Sequence, residues 1–175
     1  DNELFVTISI GITICPFDDK NMEALLQNAD IAMYKAKEQG RNGFQFYTAD
    51  MNTRTHKRLD LETALRRALE RNELVLHYQP QVDLRSGRIF AMESLLRWQR
   101  PGIGLVSPMD FIPLAEETGL IVPIGEWVLR TACAQNQAWQ DAGFAPLRVA
   151  VNLSARQFLQ KSLIQTISAA LRDSG

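Results

Sequence analysis

The amino-acid sequence predicts a mixed α/β fold, and three observations lead to that prediction. Residues 4–15 alternate between apolar and polar side chains, which is the period-two pattern of a β-strand. Apolar residues recur at helical spacing in three later stretches, within residues 22–36, 61–69 and 124–139. From residue 58 onward, short apolar strands alternate with helices, and this order favours at least some parallel strands.

Composition excludes several classes of protein. Of the 175 residues, 46% are hydrophobic and 22% are charged, which is typical of a globular chain and not of a disordered one. The net charge of -1 gives no support for binding to nucleic acid or to an anionic membrane. No run of about 18 apolar residues predicts a membrane-spanning helix. Because the chain begins with Asp1 and no leader-like segment follows, we expect that its start was removed or that it is an excerpt.

The cysteines and histidines do not predict a metal cluster. Cys15 and Cys133 lie far apart in the sequence in apolar surroundings, which favours two buried thiols in a reducing cytoplasm over a disulfide. His56 and His77 are isolated, so the spacing of a zinc site is missing.

The first strand is predicted to span residues 4–15 and to end at Pro16. A helix follows, with Gly40 as its C-cap, and a short strand is predicted over residues 44–47. Candidate N-caps of that helix are Asp18, Asp19 and Asn21.

Residues 48–58 are polar and show no periodicity, so a domain boundary is predicted there. The predicted division is a first domain over residues 1–49, a linker over residues 50–58 and a second domain over residues 59–175.

The second domain is predicted to begin with an amphipathic helix that ends near Asn72. A strand over Leu74–Tyr78 is expected to close at Pro80, and residues 82–98 read as a hairpin around Arg85-Ser86-Gly87.

Helices dominate the rest of the pattern. A loop rich in Gly and Pro is predicted over residues 99–107, followed by a helix over residues 109–118 with Pro108 at its first turn. A longer helix and an apolar strand over residues 147–151 come next, and Asn152 lies at the carboxyl tip of that strand. A final helix is expected from about residue 155.

Three stretches carry residue types that can support chemistry. Lys37 and Arg41 lie four residues apart at a helix end and can meet one polyphosphate, but basic residues there also complement the helix dipole. Glu93 and Arg97 share one strand face and can hold a metal and a phosphate, or form a structural ion pair. Asn152 suits an oxygen ligand for a metal and equally suits a turn or a helix cap. Spacing alone favours the structural alternative in each case.

The motifs, taken in order, resemble two known families. Residues 6–12 and the stretch from Ala29 to Asn42 resemble the C-terminal third of a GGDEF domain, the diguanylate cyclase fold. Residues 59–175 resemble the N-terminal half of an EAL domain, the cyclic-di-GMP phosphodiesterase fold. The motifs in that half are Tyr78-Gln79-Pro80, Glu93-Ser94-Leu95-Leu96-Arg97-Trp98, Ser107-Pro108, Phe111-Ile112-Pro113, Ala115-Glu116, Gly119-Leu120-Ile121 and Val151-Asn152-Leu153-Ser154. Ser94 stands where the family signature has alanine.

The resemblance to EAL domains implies a TIM-barrel-like fold with its site at the carboxyl ends of the strands. By this resemblance Glu93 and Asn152 are catalytic and ligate a divalent metal, Mg2+ or Mn2+. The residues expected to contact cyclic-di-GMP are Gln79, Leu96, Arg97 and Pro108.

The implied reaction is two-metal hydrolysis of one phosphodiester bond, which yields linear pGpG. Glu93 and Asn152 cannot by themselves assemble two metal ions that each want about six oxygens. The resemblance assigns the missing ligands to later strands, so we expect these 175 residues alone to be unable to catalyse the hydrolysis.

In the GGDEF part, Lys37 and Arg41 match positions that contact the phosphates of GTP. The GGDEF signature would precede Asp1, so cyclase activity is not expected.

Alternative functions stay open at this point. The first interpretation is a cytoplasmic segment of a bacterial signalling protein, homodimeric and attached to a membrane, if at all, through an upstream region. In that interpretation the EAL part is a phosphodiesterase. In the second interpretation the chain is a non-catalytic binding or regulatory module, in which the EAL part binds cyclic-di-GMP without cleaving it and the GGDEF part is the one that could bind GTP. In a third, residues 1–47 are an inert or GTP-sensing regulator coupled through the helix at 58–71. A half barrel would also leave the edge of one strand unpaired, and an unpaired edge favours association of the chain with other copies of itself.

Overall fold

The computed structural model describes residues 6–175, except for the side chains of residues 54–56. The chain divides between Leu61 and Glu62 into two compact units. Among the described residues, no helix combines the length and the apolar character needed to cross a membrane.

The first unit packs one helix on a two-stranded parallel sheet. Strand β1 (Ile10–Ile12) pairs in parallel with β2 (Phe44–Phe46), and α1 (Met22–Glu38) connects them and packs on both. Asn21 is the N-cap of α1, and its side chain accepts hydrogen bonds from two backbone N–H groups of the first turn. Gly11 permits the close packing, because a Cβ at that position would lie 1.9 Å from the carbonyl oxygen of Ala29.

The strand predicted over residues 4–15 is shorter in the structure. Residues 4 and 5 lie outside the described residues, and pairing is confined to Ile10–Ile12 because the partner strand has only three residues. The helix was predicted to end with Gly40 as its cap. Its C-cap is Gln39, and Gly40 follows with a φ of 111°.

Helix α2 (Ala49–Ala68) includes residues 50–58, which were predicted as a linker. The absence of an apolar stripe does not prevent helix formation, because charged side chains can stabilise a polar helix. In the first unit, the Arg58 guanidinium lies 2.5 Å from a Glu38 carboxylate oxygen and 5.3 Å from the centre of the Tyr34 ring. The predicted domain limits at residues 49, 50, 58 and 59 stay a prediction.

The sheet of the second unit is built around one strand, β4 (Ile89–Arg100). On one edge β4 pairs antiparallel with β3 (Leu74–Val82). On its other edge β4 pairs in parallel with β6 (Arg148–Val151) and antiparallel with β5 (Gly104–Val106). The mixed sheet agrees with the expectation of some parallel strands, and in the described part of the chain it does not close into a barrel.

The second edge of β4 contains a gap. Its residues 91–94 pair with β6, and its residues 98–100 pair with β5. Within residues 6–175 no strand pairs with residues 95–97 on this edge. The backbone of these three residues is therefore open toward the helices that follow.

Two predictions about this sheet were wrong. Pro80 does not end β3 but lies inside it, opposite Met92. Within residues 6–175, β3 has a strand neighbour on one side only. Proline is tolerated at the other edge of β3, because no strand there needs a backbone N–H from this position. Residues 99–107 were predicted as a loop, but Gly104–Val106 form β5, because pairing with β4 organises a segment whose local sequence favours a turn.

The predicted hairpin is confirmed between β3 and β4. The Asp83 carboxylate accepts hydrogen bonds from the backbone N–H groups of Arg85 and Ser86 and from the Ser86 hydroxyl. These bonds favour the charged carboxylate and lower the pKa of Asp83.

Four helices complete the second unit. They are α3 (Pro108–Thr118), α4 (Ile121–Asp141), α5 (Ala155–Phe158) and α6 (Leu163–Ser174). Ser107 caps α3, as the Ser-Pro pattern predicts, and Gly119 ends that helix with a left-handed φ of 83°. Helix α4 packs against each of the other three helices and against β6.

The core of the second unit contains a buried polar contact. Trp98 and Phe111 are fully buried and pack edge to face with ring centres 5.6 Å apart. The Trp98 Nε1–H donates a hydrogen bond of 3.0 Å to the buried carboxylate of Glu73. The Gln99 backbone N–H donates to the Glu73 carbonyl, so Glu73 holds the end of β4 through both its side chain and its backbone.

The expectation of two buried thiols was wrong. Both cysteines are free, but Cys15 is exposed and Cys133 on α4 is half-buried. Cys15 lies in a turn that follows the short β1. Burial raises the pKa of the Cys133 thiol.

We expect Cys15 to react with a thiol reagent faster than Cys133 does. A raised pKa leaves Cys133 with a smaller thiolate fraction, and its partial burial restricts access. Ellman's reagent at pH 8 should show two phases, and Cys15→Ser should remove the faster one. Loss of the slower phase in Cys15→Ser would contradict this prediction.

Glu73→Ala should destabilise the second unit. The substitution leaves the buried Trp98 N–H without an acceptor, at a cost of about 1–3 kcal/mol. Glu73→Gln keeps an acceptor oxygen, so we expect it to lose less stability than Glu73→Ala does. Urea unfolding followed by tryptophan fluorescence measures both variants, and equal stability of Glu73→Ala and the parent chain would show that this bond contributes nothing.

Candidate functional site

The structure brings Glu93 and Asn152 into contact. The Asn152 Nδ2 donates a hydrogen bond of 2.8 Å to the Glu93 Oε1, although the two residues are 59 positions apart in the sequence. The contact follows from the parallel register, in which Glu93 lies opposite Ala150. Asn152 comes two residues after Ala150, immediately beyond β6, and so continues the same face of the sheet.

The hydrogen bonds around Glu93 and Asn152 argue against two of the structural alternatives that spacing left open, an ion pair of Glu93 with Arg97 and a helix cap at Asn152. In the described part of the chain no ion pair joins Glu93 to Arg97; the Arg97 Nη1 donates to the Leu96 carbonyl at 2.9 Å instead. The helix cap after β6 is Ser154 and not Asn152. The side chain of Asn152 is therefore available for a role at the strand end.

Gln79 lies on the same face as Glu93. The two residues are directly opposite each other in the β3–β4 pairing, so their side chains project from the same side of the sheet. Glu93 is half-buried, whereas Gln79 and Asn152 are exposed. Carboxylate and amide groups from three strands or strand ends thus share one face.

A cleft of about 280 Å³ opens where β4 lacks a strand partner. Four of the predicted site residues line it, namely Leu96, Arg97, Pro108 and Asn152. The opposite wall comes from α3 and α4 and is mostly apolar, with the charged exception of Glu116. An apolar cleft with few charged groups is the usual form of a small-molecule site.

Helix α5 supports one wall of the cleft through a capping box. The Ser154 hydroxyl accepts from the Gln157 N–H, and the Gln157 side chain accepts from the Ser154 N–H at 3.0 Å. Sequence reasoning missed Gln157, yet the Ser-x-x-Gln spacing directly after a strand is a recognisable signal for this motif.

The other two predicted site residues lie in the first unit. Lys37 is in the last turn of α1, and Arg41 follows Gly40 with a φ of 62°. Both side chains are exposed. Their position at a helix C-terminus agrees with the sequence-based placement.

The donor types at Glu93 and Asn152 fit a hard divalent cation. Half a turn of the Asn152 amide would place its oxygen where the nitrogen now lies, 2.8 Å from the carboxylate oxygen. Adjacent oxygens around an octahedral Mg2+ are about 3 Å apart, so both could bind one ion. Among the side chains that the structure describes, no cluster of three or more His, Cys, Asp and Glu residues is suited to a metal.

Family comparisons match both units. The model described as "EAL domain" matches residues 62–175. The chain belongs to the EAL domain family. The model described as "Diguanylate cyclase, GGDEF domain" matches residues 1–43.

Curated relatives match nearly the whole chain. A "Bifunctional diguanylate cyclase/cyclic di-GMP phosphodiesterase MucR" from Pseudomonas aeruginosa is 49% identical over 170 residues, which are 97% of this chain and 25% of the relative. A "Cyclic di-GMP phosphodiesterase PdeR" from Escherichia coli is 44% identical over 171 residues, 98% of this chain and 26% of the relative. The chain spans about a quarter of the length of these relatives.

Solved EAL structures confirm the predicted fold class. The PaMucR phosphodiesterase in complex with c-di-GMP is 51% identical with a TM-score of 0.63, over 66% of this chain and 47% of that one. The Xanthomonas citri FimX EAL domain in complex with c-diGMP is 29% identical with a TM-score of 0.60, over 71% of this chain and 47% of that one. Both of these neighbours are complexes with the dinucleotide.

Ser94→Ala should cost a small amount of stability. The Ser94 side chain is buried, and its hydroxyl donates to the Ala150 carbonyl at 3.0 Å, across the β4–β6 pair. We expect a loss of about 1 kcal/mol in urea unfolding, the usual net contribution of one such bond. Ser86→Ala in the exposed hairpin turn is the matched control and should lose less than Ser94→Ala. A Ser94→Ala protein as stable as the parent would contradict the prediction.

Proposed function

We propose that the EAL-family unit binds cyclic-di-GMP in the cleft at the gap in β4 and hydrolyses one of its phosphodiester bonds to give linear pGpG. The observation that carries the proposal is the contact between Glu93 and Asn152 at the edge of a cleft that also contains Arg97. The names of the relatives MucR and PdeR and the dinucleotide in the PaMucR and FimX complexes support it.

In this proposal Arg97 holds a phosphate of the substrate. A guanidinium carries five N–H donors in a rigid fork, so its bond to the Leu96 carbonyl leaves donors for a phosphate oxygen. Leu96 and Pro108 contribute apolar surface for a purine base, and Gln79 contributes an amide on the face that carries Glu93. The apolar wall of the cleft keeps water away from the base and strengthens the attraction between Arg97 and the phosphate.

The proposed cofactor is Mg2+ or Mn2+, held in part by Glu93 and Asn152. EAL phosphodiesterases depend on metal ions in general, and oxygen donors suit both of these ions. Such an ion, when bound, lowers the pKa of a water and stabilises charge on the phosphate. The hydrogen bond to Glu93 holds the Asn152 amide at the site as it stands, and a half turn of that amide would exchange this bond for ligation of the ion by the Asn152 oxygen.

The proposal for the first unit is narrower. Lys37 and Arg41 contact the phosphates of GTP, because both are exposed cations at the same helix end. A homodimeric state and a cytoplasmic location stay predictions.

Glu93→Gln in the full-length protein tests the proposed hydrolysis. Loss of the negative oxygen weakens metal binding, so the rate of pGpG formation should fall by at least about 100-fold. The rate is measured by chromatography at saturating Mg2+ or Mn2+, and circular dichroism checks that the fold is kept. Glu70→Gln, on an exposed residue outside the cleft, is the matched control and should retain activity.

Two outcomes would overturn the proposal. An unchanged rate in Glu93→Gln would remove Glu93 from the site. If the full-length protein without substitutions binds cyclic-di-GMP but produces no pGpG at any metal concentration, the unit is a non-catalytic binding module.

A further inference from the structure

Gln157 is a buried polar side chain that is bound to the segment carrying Asn152. It is 4% exposed, and its Oε1 accepts from the Ser154 N–H at 3.0 Å. The Ser154 hydroxyl accepts in return from the Gln157 N–H at 3.3 Å. Ser154 follows Asn152 by two residues, so these reciprocal bonds hold the backbone at Ser154, just beyond the residue that contacts Glu93.

The amide of Gln157 is itself held in place by α4. A Cβ added at Gly125 would lie 2.0 Å from the Gln157 Nε2 and 2.6 Å from its Cδ, so the amide packs directly on the helix backbone. Gly125 is buried in the first turns of α4, together with Ile121 and Ile124. Only glycine at this position leaves room for the amide.

The neighbouring residue attaches the same turn to a second helix. The Arg156 guanidinium donates to the carbonyl oxygens of Glu116 and Glu117 at the end of α3. The turn after Asn152 is thus joined to both α3 and α4. Asn152, in contrast, is exposed, and its amide reaches Glu93 from a short segment outside any strand or helix.

We propose that Gln157 is a positioning residue for Asn152, and that it acts through Ser154 to hold the Asn152 amide at the metal site it shares with Glu93. This inference rests on the proposed function, because it assumes that Glu93 and Asn152 bind a divalent cation. Groups that orient a metal ligand, without touching the ion, commonly change metal affinity by about 10–100-fold when they are removed. Gln157 can orient Asn152 because packing on Gly125 fixes its own amide.

The test measures Mn2+ binding to the full-length protein by isothermal titration calorimetry, without substrate. Gln157→Ala should weaken Mn2+ binding by about 10-fold or more. Gln157→Glu should recover most of the affinity, because glutamate can fill the same role in a capping box. In an Asn152→Ala background, Gln157→Ala should cause no further loss, since the residue through which it acts is gone.

A second measurement separates positioning from general destabilisation. Hydrogen exchange of the backbone amides in residues 152–154 should accelerate in Gln157→Ala. Leu65→Val, a change in the core of the same unit, should lower the melting temperature and leave Mn2+ affinity unchanged. If Gln157→Ala does not fold, Ser154→Ala removes one of the two reciprocal bonds and should show a smaller loss that also vanishes in the Asn152→Ala background.

The outcomes distinguish this inference from the function on which it rests. If Glu93→Gln and Asn152→Ala weaken Mn2+ binding but Gln157→Ala does not, the positioning role is wrong and the metal site stands. Losses that add in the double variant would likewise show that Gln157 acts independently of Asn152. If neither Glu93→Gln nor Asn152→Ala changes Mn2+ binding, the proposed metal site is wrong, and the positioning role falls with it.

Discussion

The pairing of β4 with three other strands is the constraint on which the second unit depends. Within the described residues β3, β5 and β6 each pair with β4 and with no other strand. One edge of β4 is filled along most of its length by β3, whereas the other is divided between two short strands. The cleft exists because these two strands leave residues 95–97 uncovered, and the buried Glu73–Trp98 contact fixes the strand just beyond that gap.

Much of the helical structure could be predicted from sequence because its signals are local. The N-caps at Asn21 and Ser107 and the apolar stripe of α4 lie within a few residues of the elements that they specify. The positions of β5 and Pro80 could not be predicted in this way. Both depend on which edge of β4 or β3 is free, and that is a property of the assembled sheet.

In the candidate site, too, the local sequence predicts some features, whereas others depend on how the strands and helices pack. The sequence marked Glu93, Arg97 and Asn152 as candidates because their side chains can bind a metal or a phosphate. The order of the surrounding motifs, which resembles that of EAL domains, then predicted which of these roles each residue has. The bond between Glu93 and Asn152 requires the parallel register that places Ala150 opposite Glu93, which no local pattern specifies. Gln157 was visible as half of a capping box, but its burial against Gly125 appears only when α5 packs on α4.

The bond from the Arg97 guanidinium to the Leu96 carbonyl has a consequence for ligand binding. A free arginine side chain has about 2 kcal/mol of rotamer entropy, and much of this is normally lost when it closes on an anion. In this chain the Arg97 side chain already loses rotamer freedom during folding, because the Leu96 carbonyl holds its guanidinium beside the cleft. If Arg97 binds a phosphate, as proposed above, its fork is ordered before the ligand arrives, and less of the binding free energy is spent on ordering the arginine.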